Sequence, residues 1–192
     1  MKRKLATILT MLFTVQLLTI SVFAADTQNN VSTEIQAELA SAEEILGGPC
    51  KLVSQETEVV GNFIVENRFY ALEESTTRSG SGKTGGVSSH VWRDLFGSSW
   101  NFKILLAGFF YYNGTTAICI PEETDIWAVD ANREEIDLSM ETKFTYDEGT
   151  LAEITCKYVI FDGSQPLPGA TISVTCSATG DVGYVSEEEH IY

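Results

Sequence analysis

Histidine is nearly absent: His90 and His190 are the two in 192 residues. A hydrolytic triad needs one of them beside a nucleophile and a carboxylate. Ser88 and Ser89 adjoin His90, but sequence neighbours rarely face each other, and His190 follows the acidic run Glu187-Glu188-Glu189. Both histidines are therefore read as exposed bystanders. Basic residues are scarce as well, with 12 Lys and Arg against 27 Asp and Glu and a formal charge of −15. Such a chain repels nucleic acid and anionic lipid, so neither is expected as a partner. There is no Cys-x-x-Cys pair and no Cys/His cluster, which argues against a zinc site. After residue 24 no apolar run approaches the ~20 residues of a helical membrane span, so no span is expected in the mature chain.

What is present begins with an export signal. Lys2, Arg3 and Lys4 form a basic start, residues 5–23 are apolar, and Val22-Phe23-Ala24 supplies a cleavage site. The expected division is a signal peptide over 1–24, a polar leader with an amphipathic helix over 25–49, and a β domain over 50–192. Loss of three basic residues takes the charge from −15 to −18. An even set of cysteines in an exported chain, Cys50, Cys119, Cys156 and Cys176, points to two disulfides, with the pairing open.

Residues 100–120, WNFKILLAGFFYYNGTTAICI, organise the domain. Trp100, Phe102, Ile104, Leu106, Gly108, Phe110 and Tyr112 fall on every second position, which in a strand puts them on one face. Asn113-Gly114 predicts a two-residue type I′ turn, with Phe110 opposite Ala117 and Gly108 opposite Cys119. The other face is polar at Asn101 and Lys103, then apolar at Leu105, Ala107, Phe109 and Tyr111, so the far half is expected to be covered on both sides.

Before this hairpin, residues 33–46 carry an apolar stripe of Ile35, Leu39, Ala42 and Leu46, with Thr33 and Gln36 placed as a capping box and Gly47-Gly48-Pro49 as a stop. Gly61-Asn62 between apolar runs reads as a tight hairpin or as a bulge in one long strand. Residues 73–89, rich in Gly, Ser and Thr, read as a long loop. Residues 90–96 read as a short helix. After the hairpin, 125–129 and 135–140 read as short strands around a turn at 130–133. Two alternating runs, 152–160 and 170–176, bury their even-numbered residues, cysteines included. A last strand is expected after Gly183.

Two local patterns have parallels. Asp162-Gly163-Ser-Gln-Pro-Leu-Pro-Gly169-Ala170-Thr171-Ile172 resembles a strand connection of bacterial immunoglobulin-like and transthyretin-like modules. Trp100…Phe110-Tyr-Tyr112-Asn113-Gly114…Cys119, with Thr175-Cys176-Ser-Ala-Thr-Gly180, resembles small secreted proteins of Gram-positive bacteria. The second resemblance implies export and a β fold and carries no catalytic residue.

Other motifs fall short. Gly80-Ser81-Gly82-Lys83-Thr84 resembles the end of a phosphate-binding loop, but Thr77 stands where its first glycine belongs. Asp130 to Glu141 imitates a calcium loop with Glu135 in place of the bending glycine. Neither a cofactor site nor a metal site is expected. Arg68, Arg78, Lys83 and Arg93 gather positive charge in an acidic chain. The resulting expectation is an all-β antiparallel sandwich, immunoglobulin-like, behind an N-terminal helix. It is expected to be secreted, to lean away from enzyme function, and to bind an extracellular protein or glycan through Arg78, Lys83, Trp92 and Arg93. The rivals are a secreted hydrolase using two carboxylates and an assembling component of an extracellular matrix.

Overall fold

The computed structural model describes residues 33–73, 80–95, 101–129, 136–146, 149–162 and 165–189. The expected signal peptide, the leader up to residue 32, Arg78, His190 and the turn at 130–135 lie outside them. The chain divides into two compact units, residues 1–41 and 42–192. In the first, residues 33–41 are helical and the Ser41 hydroxyl donates to the Ala37 carbonyl at 3.0 Å.

The second unit opens with the last turn of this helix, α1 (33–46), where Ala42 and Leu46 are buried. Gly47, at φ +72°, ends it in the left-handed region that glycine tolerates, and the N–H groups of Gly47 and Gly48 both reach the Glu43 carbonyl. Among the described residues ten strands follow: β1 (Cys50–Val60), β2 (Phe63–Leu72), β3 (Gly82–Asp94), β4 (Asn101–Tyr112), β5 (Ala117–Cys119), β6 (Asp125–Val129), β7 (Ile136–Tyr146), β8 (Leu151–Asp162), β9 (Gln165–Ser177) and β10 (Val182–Glu189). A six-stranded sheet runs β1-β2-β3-β4-β5 with β6 also on β4; a four-stranded sheet runs β10-β9-β8-β7. Every pairing is antiparallel and joins neighbours in sequence, apart from β6, which returns to β4. Immunoglobulin domains interleave their strands between two sheets, and this connectivity differs.

Alternation sets the faces. In the first sheet Val65, Phe69, Trp92, Phe102, Ile104, Leu106 and Phe110 turn to one side; in the second, Ala152, Ile154, Cys156, Tyr158, Ala170, Ile172, Val174 and Cys176 do. All belong to one apolar core. The even-numbered burial read for β8 and β9 holds at 152–158 and 170–176, and the Ile160 side chain lies outside the described ones. At Gly108 the second sheet packs close: a Cβ there would meet Ile154 Cδ1 at 3.0 Å and Val174 Cβ at 3.1 Å. The outer side of the first sheet is also buried over its middle, at Arg68, Tyr70, Val87, Ser89, Leu105 and Ala107. Arg68 pairs there with Glu66, which also accepts from Arg93 Nε at 3.3 Å.

Several expectations are corrected. From Gly82 to Ser89 the expected loop 73–89 is strand β3, and residues 90–94 of the expected helix at 90–96 are the end of that strand. The small residues are there for close packing: a Cβ on Gly86 would fall 2.5 Å from the Phe69 ring. The Gly61-Asn62 hairpin is formed, with Val60 opposite Phe63 and Gly61 at φ +59°. The Asn113 hairpin has a four-residue loop instead of two, pairing Tyr112 with Ala117 and Phe110 with Cys119. The reason is the Asn113 side chain. Its Oδ1 accepts from Thr115 N at 3.0 Å, Thr116 N at 2.8 Å and the Thr115 hydroxyl at 2.8 Å, closing a wider turn than the backbone alone would.

The four cysteines are buried free thiols in place of the expected disulfides. Cys156 lies opposite Ile172 and Cys176 opposite Ala152. The two thiols are thus four positions apart along their strands, roughly 13 Å, beyond the reach of a disulfide. Cys50 donates to the Gly48 carbonyl at 3.3 Å and Cys119 to the Glu153 carbonyl at 3.4 Å. Burial, with Glu43 and Glu73 nearby, pushes the Cys50 thiol up to about 11, and burial pushes Cys176 up to about 12. Neither supplies a thiolate nucleophile at neutral pH.

Candidate functional site

The structure disperses the four side chains expected to contact a ligand. Arg78 lies outside the described residues. Trp92 is fully buried, stacked on Phe102 and edge-on to Phe63, with its indole N–H donating to the Tyr158 hydroxyl at 2.7 Å. It is a core residue and no surface platform. Its neighbour two positions back, His90, is likewise buried and not the exposed bystander expected; its Nδ1 is 3.1 Å from the same Tyr158 oxygen. With Trp92 donating to that oxygen, the Tyr158 proton is directed to Nδ1, and His90 is a neutral ring without a nucleophile to activate. Ser88 shares its face but sits in the same closed interior, and Ser89 points to the opposite face. Arg93 is held by Glu66 on the outer face. Lys83 is on that face too, ten positions from Arg93 along β3, which is roughly 33 Å in a strand.

Lys83 marks a place where the described surface collects several ligand-binding features. Strand β5 leaves β4 at Cys119, and β6 rejoins the same edge of β4 at Asp125, opposite Ala107. Between them Pro121–Glu123 forms a single 3-10 turn, with Pro121 in the first position, where its missing N–H costs nothing. The Ile120 N–H donates to the Phe109 carbonyl at 2.8 Å and the Thr124 hydroxyl to the Ile120 carbonyl at 3.1 Å. This step brings two carboxylates beside the outer face of β4. The result is a cleft of about 470 Å³ lined by Ile45 from the end of α1, Phe109 from β4, Glu123 from the turn and Asp125 from β6. That volume is within the range of small-molecule sites.

Lys83 contacts two of these lining residues. Its ammonium is ion-paired with Glu123 and lies 5.1 Å from the Phe109 ring centroid. The strand register then places Lys83, Tyr111 and Ile118 in one row across β3, β4 and β5, and Tyr111 and Ile118 are each about half exposed (53% and 50%). Tyr111 was expected under cover on the second face of the hairpin; its exposure is the departure that makes this surface. The phosphate-binding resemblance at Gly80 to Thr84 dissolves here, since Gly82, Lys83 and Thr84 are extended strand with Lys83 committed to Glu123. Among the described residues no group of three or more His, Cys, Asp or Glu is placed to hold a metal ion, and no helix is long and apolar enough to cross a membrane. The first half of the calcium-loop pattern, residues 130–135, lies outside them, and the second half belongs to strand β7.

Sequence reading missed Ile45, Phe109, Glu123 and Asp125 because they come from four elements. Only the pairing of β6 back onto β4 assembles them. The signal that existed was the second face of β4, where Phe109 and Tyr111 follow Ala107.

Gly85 supports the cleft from below. A Cβ there would meet Leu46 Cδ2 at 2.9 Å, the Gly108 carbonyl at 3.0 Å and Phe109 Cδ1 at 3.1 Å. Gly85→Ala is expected to push the α1 terminus and the Phe109 ring off the sheet and to cost about 1–3 kcal/mol. Urea midpoints check the stability. The loss of any ligand binding beyond what stability explains checks the cleft.

Comparison of the chain with protein-family models, with curated proteins and with solved structures returns no match.

Proposed function

We propose that this chain is an exported, non-enzymatic binding protein, a β-sandwich of two meanders whose contact surface is the cleft at Phe109 and the row Lys83, Tyr111 and Ile118 beside it. The resemblance of residues 100–119 and 175–180 to small secreted proteins supports export, as does the basic-then-apolar start of the sequence. The observation that carries the binding reading is the exposure of an aromatic and a β-branched side chain next to a concavity of ligand size. Isolated surface apolars need no explanation, but a row of them flanking a cleft with opposed charges is how ligand sites are built.

The hydrolase rival would use Glu123 and Asp125. A general acid has to be kept neutral by an apolar enclosure, and here Glu123 is 40% exposed and salt-bridged to Lys83 while Asp125 faces solvent. The assembly rival would use a sheet edge. The β1 edge is interrupted by a bulge between Leu52 and Ser54 and carries Glu56 and Glu58, devices that discourage edge-to-edge pairing. Binding therefore leads.

Arrays of extracellular glycans and of peptides, probed with the chain and with Tyr111→Ala, test this. The expected result is retention on at least one class, reduced about tenfold or more by Tyr111→Ala, in the manner of an aromatic contact residue. Silence on every array, or retention indifferent to Tyr111, would end the proposal.

A further inference from the structure

One ammonium group, the chain's own, already sits against two of the residues that line the cleft. Lys83 Nζ lies over the Phe109 ring at 5.1 Å and against the Glu123 carboxylate. An aromatic face and a carboxylate together are the two groups that stabilise an alkylammonium or guanidinium at a protein surface. A second carboxylate, Asp125, lines the same cleft and gives Oδ1 to its own strand, accepting from Ile126 N at 2.8 Å. Ile45 and Phe109 make the rest of the wall apolar. Tyr111 and Ile118 extend the apolar surface past Lys83. The formal charge of −15 draws cations from a distance.

We propose that the cleft takes a cationic group carried on an apolar body, the chemistry of a peptide that interleaves lysine or arginine with apolar residues, and that Lys83 holds the position of that cation until the ligand arrives. This rests on the cleft being the contact surface and adds what it contacts. Lys83 then acts as a tethered competitor. The incoming cation exchanges for it at Glu123 or pairs with Asp125 beside it, while the apolar part of the ligand covers Ile45 and Phe109 and reaches Tyr111 and Ile118. No bond is made or broken, and the displaced Lys83 ammonium returns to water.

The arrangement separates the possible ligand chemistries by sign. For an anion, Lys83 is a contact and its loss weakens binding. For a neutral sugar stacked on Tyr111, the charge of Lys83 matters little. For a cation, Lys83 is a rival and its loss strengthens binding. Lys83→Met keeps the apolar stem over Phe109 and deletes only the charge, so its direction decides.

The probe is a fluorescent peptide alternating lysine and leucine, measured by anisotropy at fixed ionic strength. Its companions are the same peptide with acetylated lysines and a glutamate–leucine analogue. Glu123→Gln and Asp125→Asn should each weaken the lysine peptide by about threefold to tenfold, and Lys83→Met should tighten it by a similar factor. Glu187→Gln removes the same charge from an exposed site on the other sheet and should change affinity by less than about twofold. Weaker binding by Lys83→Met, equal binding of the acetylated peptide, or an equal loss with Glu187→Gln overturns the assignment. If the lysine peptide does not bind while a neutral oligosaccharide does so through Tyr111, the contact surface stands and its cationic ligand falls. If no probe binds, both fall.

Discussion

Gly169→Ala is expected to destabilise the fold by about 3 kcal/mol or more, at the severe end of what a single methyl group does. The Cβ of an alanine at this position would lie 2.3 Å from the Tyr158 carbonyl oxygen, 3.1 Å from Val159 Cα and 3.2 Å from the Tyr158 carbonyl carbon. All three are backbone atoms of the neighbouring strand, so no side-chain rotation relieves the clash. Gly169 pairs with Val159, and the β8–β9 register slips between Val159 and Phe161. An irregularity that brings two backbones this close is a position for glycine alone. The strain would not stay local. To make room, β8 must move at Tyr158, whose hydroxyl joins Trp92 and His90 across the core. Gly80→Ala, with nothing within 4 Å of the added carbon, is the matched control and should stay within about 0.5 kcal/mol. Urea midpoints read both. A Gly169→Ala cost below about 1 kcal/mol would mean the strands part freely there.

Acidification should destabilise the protein through His90. Burial pushes this imidazole from 6.5 down to about 3 in the folded chain. Its folded pKa is the lower one, so between those two values the unfolded chain binds the proton and the folded chain does not. The contribution is complete above about pH 6.5 and is lost progressively as the pH falls toward 3, amounting to roughly 5 kcal/mol at most. Carboxylates titrate over part of the same range, so the test compares slopes. Unfolding free energy measured from pH 7 to pH 4 should fall less steeply in His90→Leu than in the parent chain, whatever the variant's stability at neutral pH. Parallel curves would show that the ring gains solvent or a counter-charge when protonated.

The legible parts of the fold are those where one residue type repeats at one period. The even-numbered apolar positions of β8 and β9, the inward face of β4 and the Gly61-Asn62 turn all follow from alternation and turn chemistry. Strand β3 did not read as a strand because its composition is that of a loop. Gly85 and Gly86 are small for the sake of Leu46, Phe69 and Phe109, which are distant in sequence and invisible to any local window. The Asn113 corner misled for a different reason. Asn-Gly is compatible with two turn lengths, and the choice is made by a side-chain oxygen with three donors. His90 read as a surface group because its polar atoms suggest water, and Trp92 as a possible contact because it follows a Gly/Ser-rich segment. Their partner, Tyr158, stands sixty-odd positions downstream and is found only when the sheets are known. The cleft was illegible for the same reason as β3: its walls meet only after β6 folds back onto β4.

The strand order of the two meanders also has a consequence in time. Each sheet is zipped from hairpins between consecutive segments, so most backbone pairing needs only short loops to close, and pairing of this kind is fast. The slow event is different. Wherever β1 to β6 pair before β7 to β10 join them, the first sheet is complete without its partner. Phe69, Trp92, Phe102 and Leu106 then wait on a completed sheet with their inner side bare. That half-made species, and not the finished molecule, is where aggregation competes with folding.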